Sequence, residues 1–412
     1  MTAGAPPPTS LIIVSRGRPE HLARALLGVS QLDHANFELI VVADAAGLAA
    51  AEGFPAKLVA FERANISAAR NAGLAVAAGE VVAFLDDDAV PEPTWLTRLS
   101  APFANPAVAA AGGFVRGPDG LRFQWQASTA DMFGAVTALP VDPVAVSLHA
   151  ARPGRALRTE GTNCAFRRDV LARIGGFDPA FRYFLDETDV NMRLAAAGLA
   201  TAVVPLAQVH HGLAAGPQRR GTRVPLDLHE IGASSAVFWR KHALSGVDRA
   251  GVDAARARLR AGQRARLLRL MLAGFIEPRD VAALLATLEA GLRDGATRPL
   301  QALPALPAAA AGFQRFPATQ RPGRLFAGRP WQVRRLRAAA AQAVAGGAVA
   351  TLLLFGPTFR RHRLQFTAAG VWVQRGGLWG AADPGCRSPR PARFATRQAH
   401  EAARLAALRP IS

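Results

Sequence analysis

The sequence has almost no cysteine and almost no lysine. Cys164 and Cys386 are the only cysteines among 412 residues. Two thiols cannot staple a chain of this length, so a disulfide framework is excluded and a reducing cytoplasm is expected. Lysine is confined to Lys57 and Lys241, so nearly every basic side chain is an arginine. Long apolar runs are also scarce. The best spanning candidate, Ala338 to Gly356, is mostly Ala and Gly and holds Gln342 and Thr351. It reads as a buried helix followed by a strand rather than a membrane span. The opening MTAGAPPPTS lacks a basic region and an apolar core, so no secretory signal is expected.

Half of the residues are hydrophobic, and the formal net charge is +19. That composition suits two domains, or one with a long extension. The charge is unevenly placed. Residues 1 to 250 hold 23 basic against 23 acidic side chains, and residues 251 to 412 hold 26 arginines against 7 acids. We therefore expect an α/β domain over 1–245 and an Arg-rich, mainly helical region over 246–412. The latter has a Pro-rich linker near 301–330 and a small β-hairpin near 363–380. From Ala254 to Leu272 the arginines alternate with Ala and Leu at helical spacing. That spacing reads as a solvated helix face rather than a nucleic-acid surface.

The stretch GEVVAFLDDDAVPEPTW, Gly79 to Trp95, organises the rest. Five apolar residues, Val81 to Leu85, suit a parallel strand covered on both faces. It ends in Asp86, Asp87 and Asp88, then Pro91 and Pro93 turn the chain outward. Ligands of open α/β sheets bind at the carboxyl ends of strands. Clustered carboxylates there suit a hard cation, Mg²⁺ or Mn²⁺, although a solvated acidic turn has the same sequence. Ahead of it, Ser10 to Ser15 reads as a first strand, followed by Arg16 and a helix from Glu20. Phe37 to Ala43 reads as a second strand ending at Asp44, either a ribose or base contact or a turn carboxylate. Lys57 to Phe61 suggests a third. Asn65 to Ala78 reads as a helix with Arg70 and Asn71 near its start, where anions bind. This βαβ order predicts a doubly wound, mostly parallel α/β sheet that binds a nucleotide.

Farther on, a strand is expected over Ala107 to Val115 and irregular chain over Gly117 to Ala151. The turn Gly161, Thr162, Asn163 leads into a helix ended by Gly175 and Gly176. Asp186, Glu187 and Asp189 open another helix, as caps or as more than caps. A short strand, Thr201 to Val204, precedes His210 and His211.

Together SLIIVSRGRP, FELIVVAD, NISAARNAG, VVAFLDDDAVPEPTWL, GTNCAFRRDVLARIGGFD and DETDVNMRLAAAG resemble the family 2 glycosyltransferases, over about residues 9–215. The resemblance implies a GT-A fold and transfer of a sugar from a nucleotide-diphosphate donor to an acceptor hydroxyl with inversion, in surface glycan or polysaccharide synthesis. It implies that Ser15, Arg16, Asp44, Arg70 and Asn71 line the nucleotide. Asp86 lies toward the ribose and Asp88 on Mg²⁺ or Mn²⁺, with Asp87 sharing either task. His211 joins the metal or diphosphate, with His210 as the alternative, and Asn163 faces the sugar. Glu187 is the general base, with Asp186 as the alternative. The acceptor is a glycan or a lipid-linked glycan. The basic C-terminal region bearing Trp331, Trp372 and Trp379 either packs on the transferase with its arginines solvated or touches an anionic membrane or glycan from the cytoplasmic side. The rival readings are a nucleotidyltransferase, for which SRGRP is too short and has one Gly, and a non-catalytic binding protein, against which the intact acids argue.

Overall fold

The short apolar runs of the N-terminal half fold as a sheet in the computed structural model, which describes residues 6–212, 215–216, 220, 224–243, 248–382 and 392–412. Strand β1 (Thr9–Ser15), helix α1 (Pro19–Val29), β2 (Phe37–Ala43), α2 (Ala45–Ala51), β3 (Ala56–Ala60), α3 (Ile66–Val76) and β4 (Val81–Asp86) follow in the expected order. Strands β3, β2, β1 and β4 lie side by side and parallel. All of β2 is buried, and so is β4 up to Leu85. Successive side chains of a strand point to opposite faces. Accordingly Leu11 and Ile13 enter one core and Ile12 the other. Helices cover both faces, so the sheet is doubly wound.

The second half of the sheet begins with β5 (Ala89–Pro91), α4 (Trp95–Ser100), β6 (Val108–Arg116) and β7 (Phe123–Trp125). There follow β8 (Ser128–Asp131), β9 (Val136–Ala138), β10 (Ser147–His149), β11 (Arg155–Arg158), β12 (Cys164–Arg167), α5 (Arg168–Arg173), α6 (Asp186–Ala196) and β13 (Ala200–His211). The order across the sheet is β3-β2-β1-β4-β12-β6-β13-β10. Within that order β12 and β10 run against the others. The mostly parallel GT-A-type sheet implied by the resemblance is therefore present. Two expectations are corrected. The stretch 117–151 carries four short strands, and β8, β9 and β11 form a separate small sheet. The short strand at 201–204 is part of a twelve-residue strand. Pro205 disguised it in the sequence, and it is tolerated because the pairing shifts register between Val204 and Gln208.

Beyond β13 come α7 (His229–His242), α8 (Arg249–Leu272), α9 (Pro278–Thr297), β14 (Gly323–Gly328), α10 (Val333–Ala345), β15 (Val349–Gly356), β16 (Arg363–Phe366), β17 (Trp372–Gly377) and α11 (Phe394–Ala406). Helices α7 and α9 approach closely. A Cβ at Gly291 would lie 1.9 Å from the carbonyl oxygen of His229, so only glycine fits there. The expected hairpin is β16–β17, and it belongs to a four-stranded sheet ordered β14-β15-β17-β16. The 338–356 stretch is the end of α10 followed by β15, as its composition indicated. Among the described residues no helix is long and apolar enough to cross a membrane. The division expected near residue 245 lies outside the described residues.

Residues 301–322 have no regular structure, yet they are bound across α5, α3 and the start of β2. The amides of Leu306, Ala310 and Phe316 donate to the carbonyls of Ala172, Ala75 and Phe37. The Phe316 ring stacks on Phe37 at 4.8 Å. Phe37 opens β2, so this crossing is at the end of the strands remote from the triple aspartate.

Candidate active site

At the carboxyl ends of β1 and β4 lies a cavity of about 360 Å³. Its acidic wall is Asp86, Asp88, Glu160, Asp186 and Glu187. Its basic residues include Arg16, Arg18, Arg63, Arg158 and Arg182. Cations and carboxylates are interleaved around it, with Arg18 beside Asp88 and Arg158 between Glu160 and Glu187, a lining that suits a substrate bearing both phosphates and hydroxyls.

Asp86, Asp87 and Asp88 diverge where β4 ends. Asp86 is one-third exposed into the cavity. Asp88 is buried at its edge, with Oδ1 3.1 Å from His211 Nε2 and Oδ2 3.6 Å from Arg18. His211 Nε2 is also 4.0 Å from Asp86. Its other ring nitrogen, Nδ1, is 3.4 Å from Gln124 Oε1, and its ring lies 5.4 Å from that of Trp125. A proton on Nδ1 donated to Gln124 leaves Nε2 as a lone-pair donor. One atom each from Asp86, Asp88 and His211 come within 4.8 Å of one another. The two carboxylate oxygens suit Mg²⁺ or Mn²⁺, and the imidazole nitrogen favours the transition-metal ion of the two.

Asp87 turns the other way. Ser15 Oγ donates to it at 2.7 Å, and Arg18 sits 2.7 Å from its second oxygen. Burial pushes its pKa up to about 7, against the pull of Arg18 and Ser15. The task expected of Asp87 at the ligand is thus corrected. It ties the end of β4 to β1 and does not line the cavity. His210, one residue from His211, also points away and meets Glu92 at 2.7 Å. Of the two histidines His211 is the one at the aspartates.

Arg70 is buried behind the acidic wall. It pairs with Asp186, lies 3.5 Å from Asp86, and donates to the Gly161 carbonyl. Phe84 and Phe177 flank its guanidinium. One cation therefore holds together the acids of β4 and of α6. Burial pushes Asp186 up to about 7 despite Arg70. Leu185, just before, has a left-handed backbone, φ 65°. Such a turn is costly for a branched side chain, and it sets the direction in which α6 starts. Glu187 shows more of its side chain to solvent, with Arg158 3.8 Å away. Asp189 takes no part. Arg193, Lys241 and His242 surround it, and although burial opposes ionisation they hold its pKa far below the usual range.

Three other expected site residues are held by contacts within the protein. Asn71 bonds the backbone of Phe177 through both side-chain atoms, at 2.7 and 2.9 Å. It anchors the GGFD turn, where Gly175 and Gly176 have φ of 82° and 67°. Asn163 is fully buried, taking a hydrogen bond from Trp95 and donating to the carbonyls of Phe114 and Ala207. Asp44 caps α2, accepting from the amides of Gly47 and Gly17. Ser15 and Arg16 do line the cavity.

Sequence reasoning missed Glu160 and Arg158. Glu160 is buried, paired with Arg158 at 2.9 Å, and burial pushes it up to about 7. Its signal was present. It stands immediately before the GTN turn that enters β12, and β12 lies beside β4 with Cys164 opposite Phe84. That register brings residue 160 to the same end of the sheet as Asp86.

Comparison with known proteins bears on the same segment. Residues 10–175 match the family model described as Glycosyl transferase family 2. Over 120 residues the chain is 33% identical to a glucosyl-dolichyl phosphate glucuronosyltransferase of Haloferax volcanii, covering 28% of this chain and 36% of that protein. Over 240 residues it is 28% identical to the O-antigen biosynthesis protein RfbC of Myxococcus xanthus, covering 53% of this chain and 18% of that protein. The chain thus spans well under half of either curated relative. Among solved structures, a mannosyltransferase from Pyrobaculum calidifontis in complex with GDP-Man and Mn²⁺ aligns with TM-score 0.43 and 19% identity, over 72% of this chain and 88% of that one. GalNAc-T7 with UDP, GalNAc and Mn²⁺ aligns with TM-score 0.39 and 17% identity, over 50% and 44%. The family model spans β1 to α5 and includes Asp86 and Asp88, so the resemblance of this segment to glycosyl transferase family 2 is shown over residues 10–175.

Proposed function

We propose that the chain is an inverting, metal-dependent glycosyltransferase of glycan or polysaccharide synthesis. The observation that carries this reading is the convergence of Asp86, Asp88 and His211 on one side of a cavity whose other carboxylates include Glu187. Asp86, Asp88 and His211 would hold Mn²⁺ or Mg²⁺. When bound, such an ion acts as a Lewis acid that neutralises charge on a leaving diphosphate. Arg16 and Arg18 at the cavity supply further positive charge for that group. Glu187 takes the proton of the acceptor hydroxyl as its oxygen bonds to the sugar C1 and the C1–O bond to phosphate breaks. A single displacement inverts the anomeric centre. Arg70, with Asp186 as its counter-ion, keeps the acids of β4 and α6 at a fixed separation.

The acceptor proposed is a glycan, free or lipid-linked. Peripheral contact with anionic lipid is proposed through α8. Arg258, Arg264 and Arg269 are exposed along it. Leu272 at its end is 82% exposed, and Phe275 in the following turn is 50% exposed. Each arginine near an anionic surface contributes on the order of 1 kcal/mol, and the apolar tip adds a hydrophobic share. The tryptophans expected in this role are revised: Trp372 is buried and Trp379 half-buried, and only Trp331 is exposed.

The test is a melting-temperature screen of UDP- and GDP-sugars with Mn²⁺, followed by transfer assays on any that bind. Activity should vanish with chelator and return with Mn²⁺ or Mg²⁺, and the product should have the inverted anomeric configuration by NMR. Asp88→Asn should lose metal-dependent donor binding. Full activity in that variant, or in chelator, refutes the metal site, and retention of configuration refutes the single displacement.

A further inference from the structure

Strand β5 pairs antiparallel with the end of β13, placing His211 opposite Ala89 and His210 opposite Val90. Asp88 immediately precedes this ribbon. One side of the ribbon thus presents Asp88 and His211 to the cavity. Three paired residues hold little by themselves, and β13 has just passed through a register shift. Something else must fix the ribbon.

The other side meets Val349, Trp372 and residues 407–409. Glu92, just past β5, accepts from His210 Nε2 at 2.7 Å and pairs with Arg409 through the same oxygen. Glu92 and Arg409 are both fully buried. The Arg409 guanidinium lies 3.9 Å from the centre of the Trp372 ring, and the His210 ring is 5.1 Å from it. Trp372 Nε1 donates to Gln31, and Gln31 donates to the Gly370 carbonyl. Val90 packs against Val349 and Trp372. Thr94 and Arg98 donate to the carbonyls of Leu408 and Ala407 at 2.9 and 2.7 Å. From Val90 to Arg98 the segment behind the aspartates is therefore fastened to the C-terminal region.

A buried ion pair is weak ground for stability, because well-packed apolar residues of similar volume often serve as well. Its directional bonds do specify one arrangement. We propose that Glu92 and Arg409 are positioning residues for the cation site, fixing the ribbon so that Asp88 and His211 face each other. The inference rests on the metal-binding reading above. Removing a group hydrogen-bonded to a metal ligand commonly weakens metal affinity about 10- to 100-fold; Glu92 reaches the ligands only through the ribbon, so the lower figure, about tenfold, is expected here.

The experiment uses the full chain and Mn²⁺ alone, with bound ion counted by loss of the free Mn²⁺ signal in electron paramagnetic resonance. Arg409→Gln and Glu92→Gln are compared with Leu352→Ala, a buried site in β15 outside the network. The two network variants should bind Mn²⁺ about tenfold more weakly, Arg409→Lys should recover part of the loss, and Leu352→Ala should lower the melting temperature with unchanged Mn²⁺ affinity. If Arg409→Gln does not fold, Glu92→Gln alone decides. Unchanged affinity in the folded network variants, or an equal loss in Leu352→Ala, overturns the positioning role. Asp88→Asn separates the two levels. If it abolishes Mn²⁺ binding while the network variants retain it, only this inference fails; if it retains Mn²⁺ binding, the metal site itself fails.

Discussion

The neighbouring acids of α6 should respond to substitution in opposite ways. Asp186 is nearly inaccessible and pairs with Arg70, whose side chain is 4% exposed. Asp186→Asn keeps the shape but removes the charge, leaving a buried guanidinium with Asp86 at 3.5 Å and a carbonyl. Breaking a buried pair from one side costs about 3–5 kcal/mol, and because burial pushes Asp186 up to about 7 the loss, about 3 kcal/mol, is expected above roughly pH 8, where the carboxylate is ionised. Glu187 has a distant ion pair, 3.8 Å from Arg158, which keeps Glu160, and a side-chain hydrogen bond with Asp186. Glu187→Gln should change stability by no more than about 1 kcal/mol. Loss of a general base slows transfer about a hundredfold or more. Urea unfolding and single-turnover transfer read the two quantities separately. Asp186→Asn should shift the unfolding midpoint strongly, and Glu187→Gln should retain nucleoside-diphosphate affinity and fail in transfer. A stable, inactive Asp186→Asn beside an active Glu187→Gln would show that the base is Asp186 and that Arg70 does not depend on it.

The acid limb of stability should report Glu92. Burial alone would raise its pKa, but Arg409 and the hydrogen bond from His210 hold it at about 2 against an ordinary 4.5. A depressed carboxylate stabilises fully above its unfolded pKa and loses that contribution as pH falls through the folded one. Unfolding free energy should thus fall by about 3 kcal/mol between roughly pH 5 and pH 2 from this group. Glu92→Gln should flatten that part of the profile, and an unaltered acid limb would show that the pair is not ionised. For the membrane, the full chain should float with anionic vesicles at low salt and be released at high salt. Leu272→Ser with Phe275→Ser should weaken flotation, and binding indifferent to lipid charge would remove the α8 contact.

The sheet was legible because its signals are local. Val81 to Leu85 is an unbroken apolar run, and Asp86 to Asp88 necessarily sits where it ends. The hairpin about Gly370 was equally plain, since Gly370 takes φ 73° between two alternating runs. The facing of each side chain was not legible. Asp87 and Asp88 are neighbours, yet Arg18 and Ser15 draw one inward while the other stays with His211. Asn163 is polar and follows a glycine turn, which suggests a ligand contact, but Trp95, sixty-eight positions earlier, claims its oxygen. Long-range packing decides such cases, and a lone sequence does not display it. The role of residues 301–412 was hidden for the same reason. Phe316 and Trp372 look like isolated aromatics until Phe37 and His210 are seen against them.

The contact between Glu92 and Arg409 closes a loop of 317 residues. During synthesis from the N-terminus, the three aspartates emerge long before the arginine that fastens the strand behind them. Contacts so far apart in sequence are entropically slow to form. The parallel strands β1 to β4 are able to pair early, around the apolar side chains that they share. The ribbon of β5 and β13 awaits the last of the chain, so acquisition of metal affinity should lag behind formation of the sheet when unfolded protein is returned to native conditions.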